Sequence, residues 1–141
     1  MKKGIFTGFF SLCFAVLLSA QTPNAVLTTF SQNMPGVNAT YVQEGTVWKA
    51  NFAEGGKQVS FVYTPEGEYK AKETVISKPE VPAPALQDME ARFGSFSFEG
   101  VAKHELPDGT THYKYQYNSG NKHVEVFYTA NGQLVRRNIF Q

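Results

Sequence analysis

The second half of this chain repeats the first half without a gap. Residues 48–75 align with residues 113–140, with glycines recurring where turns are expected and apolar residues recurring inside the expected strands. A repeat this short indicates a duplicated structural unit, so it constrains the architecture before it says anything about activity. The identical pairs are Lys49/Lys114, Gly55/Gly120, Lys57/Lys122, Val59/Val124, Tyr63/Tyr128, Thr64/Thr129 and Gly67/Gly132.

Residues 1–20 have the order of a secretory signal peptide. Lys2 and Lys3 supply the positive charge, a mostly apolar run follows, and small residues precede an expected cleavage after Ala20. The apolar run is shorter than the about 20 residues that a membrane-spanning helix needs, and an uncleaved anchor is the alternative. We therefore expect an exported protein, periplasmic or secreted.

The chain from Gln21 onward contains no cysteine, so its core must stabilise it without a disulfide. Cys13 is expected to leave with the signal peptide, because Leu12 is not the small residue that lipidation requires. Removing Lys2 and Lys3 from the 13 Lys and Arg residues leaves 11 against 12 Asp and Glu, a net charge of −1. Nucleic-acid binding usually shows a basic surplus, so we expect no nucleic-acid partner. No segment after the signal peptide is apolar enough to predict a membrane span.

Two amphipathic helices are predicted, each ended by a glycine. Thr22-Pro23 offers a hydroxyl cap followed by a proline suited to the first turn, Pro35-Gly36 ends this helix, and Gly94 ends the second. Three prolines within residues 77–84 predict an extended linker between the halves. The apolar stripes, at three- and four-residue spacing, are Val26, Leu27, Phe30 and Met34, then Leu86, Met89 and Phe93.

Four strands are predicted after each helix, joined by short glycine-containing turns that favour antiparallel neighbours. We therefore predict an α+β fold class, with two helix-plus-four-strand repeats sharing an antiparallel sheet and the helices packed on one face. The repeats are 21–76 and 85–141, within one globular unit. The predicted strands are 38–43, 46–53, 57–64, 68–76, 96–106, 110–118, 122–129 and 133–140.

The two faces of the predicted sheet differ in character, as in an antiparallel sheet with one solvated face. The polar face has Val62 and Phe127 as exposed apolar residues, and it is either a binding surface or merely solvated. The face expected under the helices carries Trp48, Ala50, Phe52, Val59, Phe61, Tyr63, Tyr69, Ala71 and Val75, then Tyr113, Tyr115, Tyr117, Val124, Val126, Tyr128, Leu134, Arg136 and Phe140. The polar face carries Lys49, Asn51, Ser60, Val62, Lys70 and Lys72, then Lys114, Gln116, Glu125, Phe127, Val135 and Arg137.

This arrangement resembles the PepSY-like family, which is described as related to β-lactamase-inhibitory proteins. The resemblance covers residues 23–76 and 85–140 and rests on turns such as Asp108-Gly109 and Asn131-Gly132 with Tyr- and Phe-rich strands. It implies a small exported protein with tandem α+β units, an eight-stranded sheet and a role in binding or inhibiting proteins. It carries over no catalytic residues. β-Lactamase-inhibitory proteins close a disulfide in each repeat, which residues 21–141 cannot do because they contain no cysteine.

The motifs that could carry chemistry are weak. His112, His123 and Glu125 are of the types that bind zinc, but their spacing has no metal-site signature, and we predict no metal. The carboxylate pairs Glu99/Glu105 and Glu68/Glu73 are better interpreted as solvated charge than as a hydrolase pair. Since no Ser or Thr has the surroundings of a nucleophile, we predict no enzyme activity and no cofactor.

The sequence thus predicts a non-catalytic periplasmic binding module whose partner is a protein or peptide of the cell envelope. The exposed sheet face is the expected binding surface, with charged contacts and aromatic anchors of the kind found at interfaces. The alternative is a small-ligand or metal-responsive envelope protein. The candidate contact residues are Lys49, Lys70, Lys114, Glu125, Phe127 and Arg137.

Overall fold

The computed structural model describes residues 21–141, so the predicted signal peptide, residues 1–20, lies outside the described residues. The helices are α1 (Asn24–Asn33), a short 3₁₀ helix (Lys78–Glu80) and α2 (Ala83–Phe93). Within these residues, no helix is long and apolar enough to cross a membrane. The strands are β1 (Thr40–Glu44), β2 (Val47–Glu54), β3 (Lys57–Tyr63), β4 (Tyr69–Ile76), β5 (Ser97–Glu105), β6 (Thr111–Ser119), β7 (Lys122–Tyr128) and β8 (Leu134–Phe140).

All eight strands belong to one antiparallel sheet in the order β1 to β8. Short turns whose glycines have positive φ join the strands within each half. β5 also pairs with β4, although α2 lies between them in the chain. The sheet curves into a half-barrel. We call the face under the two helices the outer face, and the opposite, concave face the inner face. A Cβ atom on Gly45, in the β1–β2 turn, would lie 3.5 Å from the Phe140 ring, so the first hairpin and the last strand meet at one end.

The predicted fold class, two helix-plus-four-strand repeats, is wrong. The molecule is mainly one uninterrupted eight-stranded half-barrel with two helices. β4 pairs with β5 from Lys72/Glu105 to Ile76/Val101, just as every other strand pairs with its neighbour. The physical reason is backbone pairing: a boundary between β4 and β5 would leave unpaired N–H and C=O groups on both strands. Pairing satisfies those groups and merges the halves into one sheet.

The helices bury their apolar stripes on the outer face. Val26 and Phe30 of α1 pack with Trp48, Phe52 and Tyr63, and all five side chains are buried. The second cluster lies beneath α2 and comprises Val81, Ala85, Met89, Phe93, Val101, Tyr115, Tyr117, Val124, Val126 and Tyr128. Burying one large apolar side chain is worth about 1.5–3 kcal/mol, so these clusters supply the stability that a protein without disulfides needs.

Two glycine turns fix how the helices sit on the sheet. Gly67 and Gly132 have φ of +87° and +90°, values that favour glycine. A Cβ atom on Gly67 would lie 2.6 Å from the carbonyl oxygen of Ala25, and one on Gly132 would lie 2.7 Å from that of Pro84. Only glycine lets these turns approach the first residues of α1 and α2 so closely.

The helix starts differ in detail from the prediction. α1 begins after Pro23 without a capping side chain, so the predicted Thr22 hydroxyl cap does not form. The expected extended linker is also wrong, because residues 77–84 include the 3₁₀ helix and the first residues of α2. Proline fits a first helical turn, where its missing N–H costs nothing. The Glu80 carboxylate accepts hydrogen bonds from the Ser77 amide and hydroxyl, each at 2.9 Å, which closes the 3₁₀ turn.

β-Bulges change which residues face inward. β4 and β8 each have one extra residue, Lys70 and Val135, that lies between paired positions. A bulge of one residue reverses the alternation of the strand beyond it. As a result Ala71, Val75, Arg136 and Phe140, predicted for the outer face, lie on the inner face, whereas Lys72 and Arg137, predicted for the polar face, lie on the outer face. A third bulge, at Glu99, lies in β5.

Candidate functional site: a charged cavity on the inner face

The inner face of the half-barrel holds a cavity of about 600 Å³. Its walls come from β2, β3 and β4 on one side, from β7 and β8 on the other, and from the β1–β2 turn. The wall residues are mixed in character. Its charged residues include Glu44, Lys49, Lys70, Glu73, Glu125 and Arg136, and its larger apolar residues include Val62, Leu106, Phe127 and Phe140.

A buried carboxylate organises the floor of this cavity. Glu73, only 8% exposed, lies 2.8 Å from His104 Nδ1, 2.8 Å from Lys114 Nζ and 3.0 Å from Lys49 Nζ. The β4–β5 register places Glu73 directly opposite His104. Because an ionised carboxylate only accepts hydrogen bonds, His104 Nδ1 carries the hydrogen that it shares with Glu73.

Further ion pairs extend from the two lysines to both sides of the cavity. Lys49 Nζ also lies 2.7 Å from Glu44 Oε1, at the start of the β1–β2 turn. Lys114 Nζ lies 3.4 Å from Glu125 Oε2, and Gln116 donates to the same oxygen at 3.2 Å. Nearly every buried charge on the inner face is therefore paired with an opposite charge or hydrogen-bonded, as burial requires.

The pKa values show which forces prevail in the cluster. Burial alone would raise the pKa of Glu73, but the hydrogen bond from His104 and the charges of Lys114 and Lys49 outweigh it and hold the pKa well below its usual range. Burial would likewise lower the pKa of Lys49, but Glu73 and Glu44 together raise it. Both groups are therefore charged at neutral pH, and the cluster is ionic.

An aromatic contact links this cluster to the last strand. The Phe127 ring is 2% exposed and meets the His104 ring edge-on at 5.1 Å between centroids. The Arg136 guanidinium lies 4.0 Å from the centroid of Phe127, within cation–π range. Burial and the charges of His104 and Arg136 lower the pKa of the neighbouring His112.

The structure brings the side chains of four of the six predicted contact residues to the cavity: Lys49, Lys70, Glu125 and Phe127. Lys114 lies deeper, at 2% exposure, beneath Glu73. The guanidinium of Arg137 turns away to the outer face, 5.5 Å from the Phe93 ring.

The expected solvated face is an enclosed one. Val62 and Phe127, expected to be exposed, are 7% and 2% exposed. The reason is the curvature of the sheet, which turns a flat polar face into the lining of a half-barrel. Its charged side chains then lie within reach of each other and replace water as partners.

The histidines considered as zinc ligands do not meet. His112 pairs across the sheet with His104, whereas His123 pairs with Asn118, six residues further along β6. At about 3.4 Å per residue this separates them by roughly 20 Å. Within residues 21–141 no group of three His, Cys, Asp or Glu side chains could hold a metal ion.

Sequence reasoning missed three residues at the centre of the site: Glu73, His104 and Arg136. The signal for two of them was present. Glu73 and Arg136 occupy positions that a regular alternation assigns to the apolar outer face. A charged residue at such a position indicates that a bulge has reversed the alternation of the strand. For His104 no comparable signal exists, because its role depends on the β4–β5 pairing.

Comparison with known proteins supports the fold. No protein-family model and no curated protein sequence matches this chain. Among solved structures it resembles a "putative periplasmic" protein of Bacteroides eggerthii DSM 20697, with a TM-score of 0.63, 20% identity and coverage of 85% of this chain and 90% of the other. It resembles a DUF2874 family protein of Bacteroides ovatus ATCC 8483, with a TM-score of 0.61, 19% identity and coverage of 85% and 89%. It also resembles a BLIP-like protein of Bacteroides fragilis NCTC 9343, with a TM-score of 0.55, 20% identity and coverage of 85% and 87%. The chain therefore has the fold of these Bacteroides proteins.

Proposed function

We propose that this protein is a non-catalytic binding module of the bacterial cell envelope, which holds a segment of a protein or peptide partner in the inner-face cavity. The observation that carries the proposal is the cavity of about 600 Å³ at the centre of the concave sheet face. Binding sites are typically concave and mainly preformed, with a few polar groups placed among apolar walls.

The state of the polar groups favours binding over catalysis. His104 is engaged with Glu73, and the lysines around Glu73 are engaged with carboxylates. Among residues 21–141 no hydrogen bond joins a histidine to a serine or threonine hydroxyl, which is the usual activation of such a nucleophile. Most of the charged groups on the floor of the cavity are thus already engaged with one another.

The location follows from the signal-like order of residues 1–20 and from the likeness to a protein described as periplasmic. The likeness in fold to a BLIP-like protein supports the proposal that this protein acts by binding. On the sequence resemblance we further propose that the chain is of the PepSY-like type, and that a duplication produced the repeat. The proposed sequence repeats are residues 21–76 and 85–141, and the proline-rich segment 77–84 joins them. All three belong to one globular unit, residues 21–141.

A capture experiment tests the proposal. The exported protein is tagged and used to isolate partners from periplasmic extract, and its Asn138→Trp variant fills the cavity, because Asn138 lies on the cavity wall. Val135→Trp is the matched control, since Val135 is 48% exposed, lies in the same strand and is not part of the wall. Circular dichroism verifies that both variants are folded.

A partner retained by wild type and Val135→Trp but lost by Asn138→Trp supports binding in the cavity. A partner that all three proteins capture equally contradicts this location. If none of the folded proteins captures a partner, the protein-binding function is contradicted. The volume of the cavity, within the about 300–1,000 Å³ typical of ligand pockets, then favours the second candidate, a small-ligand binding protein of the envelope.

A further inference from the structure

The geometry points to Arg136 as a carboxylate receptor: it takes a carboxylate group of the bound partner, with an apolar side chain beside that group. This inference rests on the proposed function, because it names the chemistry that the bound segment presents. The carboxylate comes from the C-terminus of the partner or from one of its acidic side chains.

Arg136 has no carboxylate of its own. It is exposed on the cavity wall, and none of the ion pairs between residues 21–141 involves it. A guanidinium has five N–H donors in a planar fork and no acceptor. That fork matches the two oxygens of a carboxylate, with which it forms paired, charge-assisted hydrogen bonds.

Arg136 is also held in place before any ligand arrives. Its guanidinium lies 4.0 Å from the centroid of Phe127, and Phe127 is fixed by its edge contact with His104. His104 is in turn anchored by Glu73 at 2.8 Å. The buried cluster therefore acts as a support for the exposed guanidinium, and such preorganisation lowers the entropy cost of binding.

The charges around Arg136 favour an anion. Glu73 and Glu125 already face lysines, so they do not compete for the guanidinium. Lys70, also on the cavity wall, is exposed and only loosely paired, with Glu68 at 3.9 Å. Two cations are thus available to a ligand, while the carboxylates of the floor are neutralised.

The apolar part of the ligand has its own contacts. Val62, Leu106 and Phe140 line the same cavity. A carboxylate attached to an apolar residue can therefore place its charge on Arg136 and its side chain against these walls. A small hydrophilic anion has no such second contact.

Residue 137 provides a matched control. Arg136 and Arg137 are neighbours in β8 and chemically identical, but the Arg137 guanidinium lies near the Phe93 ring on the outer face. Replacing either with glutamine removes one positive charge from the same strand. Only the Arg136→Gln change removes it from the cavity.

The test is an NMR titration of the exported, ¹⁵N-labelled protein. The three probes are N-acetyl-leucyl-alanine with a free carboxylate, the same dipeptide as its C-terminal amide, and N-acetyl-leucyl-aspartyl amide. Inorganic phosphate serves as a fourth ligand without an apolar part. We expect shifts at Arg136 and Phe140 with at least one of the two carboxylate probes, and the probe that binds distinguishes a terminal carboxylate from one on a side chain.

We expect Arg136→Gln to bind that probe at least about tenfold more weakly, because a charge-assisted hydrogen bond is worth about 1.5–3 kcal/mol, and Arg137→Gln to bind it as wild type does. If the uncharged amide or phosphate shifts the same signals as strongly as the carboxylate probes do, the role of Arg136 is contradicted. The proposal that the cavity binds a partner would then still stand. Unaltered probe binding by Arg136→Gln, or absence of shifts at the cavity with every probe, would contradict the role of Arg136 as well. Capture of the envelope partner by Arg136→Gln at wild-type strength would also refute it, while the proposed function would stand.

Discussion

Replacing Glu73 with glutamine should destabilise this protein far more than removing any exposed carboxylate. The change keeps the size of the side chain but removes the negative charge that Lys49, Lys114 and His104 share at 2.8–3.0 Å. It also places an amide NH₂ group among hydrogen-bond donors. The two lysines then remain buried with less compensation.

The size of the expected loss in stability depends on which carboxylates remain beside each lysine. Removing one partner of a buried ion pair typically costs about 3–5 kcal/mol. Lys49 retains Glu44 at 2.7 Å and Lys114 retains Glu125 at 3.4 Å, so neither charge is left alone. We therefore expect the lower end of that range, a loss of about 3 kcal/mol in the free energy of unfolding at pH 7. For a domain of this size this corresponds to a Tm lower by about 10–15 °C.

The assay is chemical denaturation of wild type and Glu73→Gln, with Glu54→Gln as control. Glu54 forms an exposed ion pair with Lys72 at 3.1 Å, for which we expect a loss below about 1 kcal/mol. If Glu73→Gln does not fold, the double change Glu73→Gln with Lys114→Met is measured. Removing both partners of a buried pair is often nearly neutral, so the double variant should be more stable than the single one.

The pH dependence provides an independent check with a definite sign. The folded-state pKa of Glu73 lies below its ordinary value of 4.5, so its stabilisation is fully present above that pH and is lost as the pH falls towards the folded pKa. The difference in stability between wild type and Glu73→Gln should therefore shrink below about pH 4.5. A difference below about 1 kcal/mol at pH 7, or one that does not change on acidification, would refute the interpretation of a buried ionic cluster.

Three further predictions test the structure elsewhere. Gly132→Ala should lower the free energy of unfolding by at least about 2 kcal/mol more than Gly56→Ala, because both glycines have positive φ but only a Cβ atom at Gly132 would meet a helix carbonyl oxygen, at 2.7 Å. Equal losses of stability in chemical denaturation would contradict this close approach. Arg136→Gln should raise the pKa of His112, since a neighbouring positive charge is removed, and an NMR titration of the imidazole that shows no rise would contradict the placement of this guanidinium. Tyr128→Phe should lower the free energy of unfolding by about 1.5 kcal/mol, because the Tyr128 hydroxyl donates a hydrogen bond to the Asp88 carboxylate of α2 at 2.6 Å. A thermal unfolding curve unchanged from wild type would contradict that hydrogen bond.

Local signals in the sequence were reliable because they act over a few residues. Strand β7 was predicted as 122–129 and is found at Lys122–Tyr128, and the second helix ends at Phe93, just before the predicted stop at Gly94. Alternation, helical spacing and turn glycines reflect backbone geometry within each element. Such signals identify which residues form an element and, in a regular strand, which ones share a face.

The candidate site was only partly predictable, because bulges interrupt that regularity. Lys49 and Glu125 lie in strands with unbroken alternation and were placed on the correct face. Glu73 and Arg136 lie beyond the bulges at Lys70 and Val135 and were not. A charged residue at a position that regular alternation assigns to the apolar face indicates a bulge. The sequence alone does not show which residue of the strand is the extra one.

By itself the sequence determined the helices, the strands and their antiparallel succession, since short glycine turns leave a strand little choice of neighbour. Only the tertiary structure decided the register in which β4 pairs with β5, and that the curvature of the sheet turns a polar face inward. Curvature depends on twist summed over eight strands and on bulges, which are properties of the whole sheet. The β4–β5 and β5–β6 pairings bring Glu73, His104 and Lys114 together from three adjacent strands. The bulge in β8 leaves Arg136 facing the cavity with no carboxylate partner among residues 21–141.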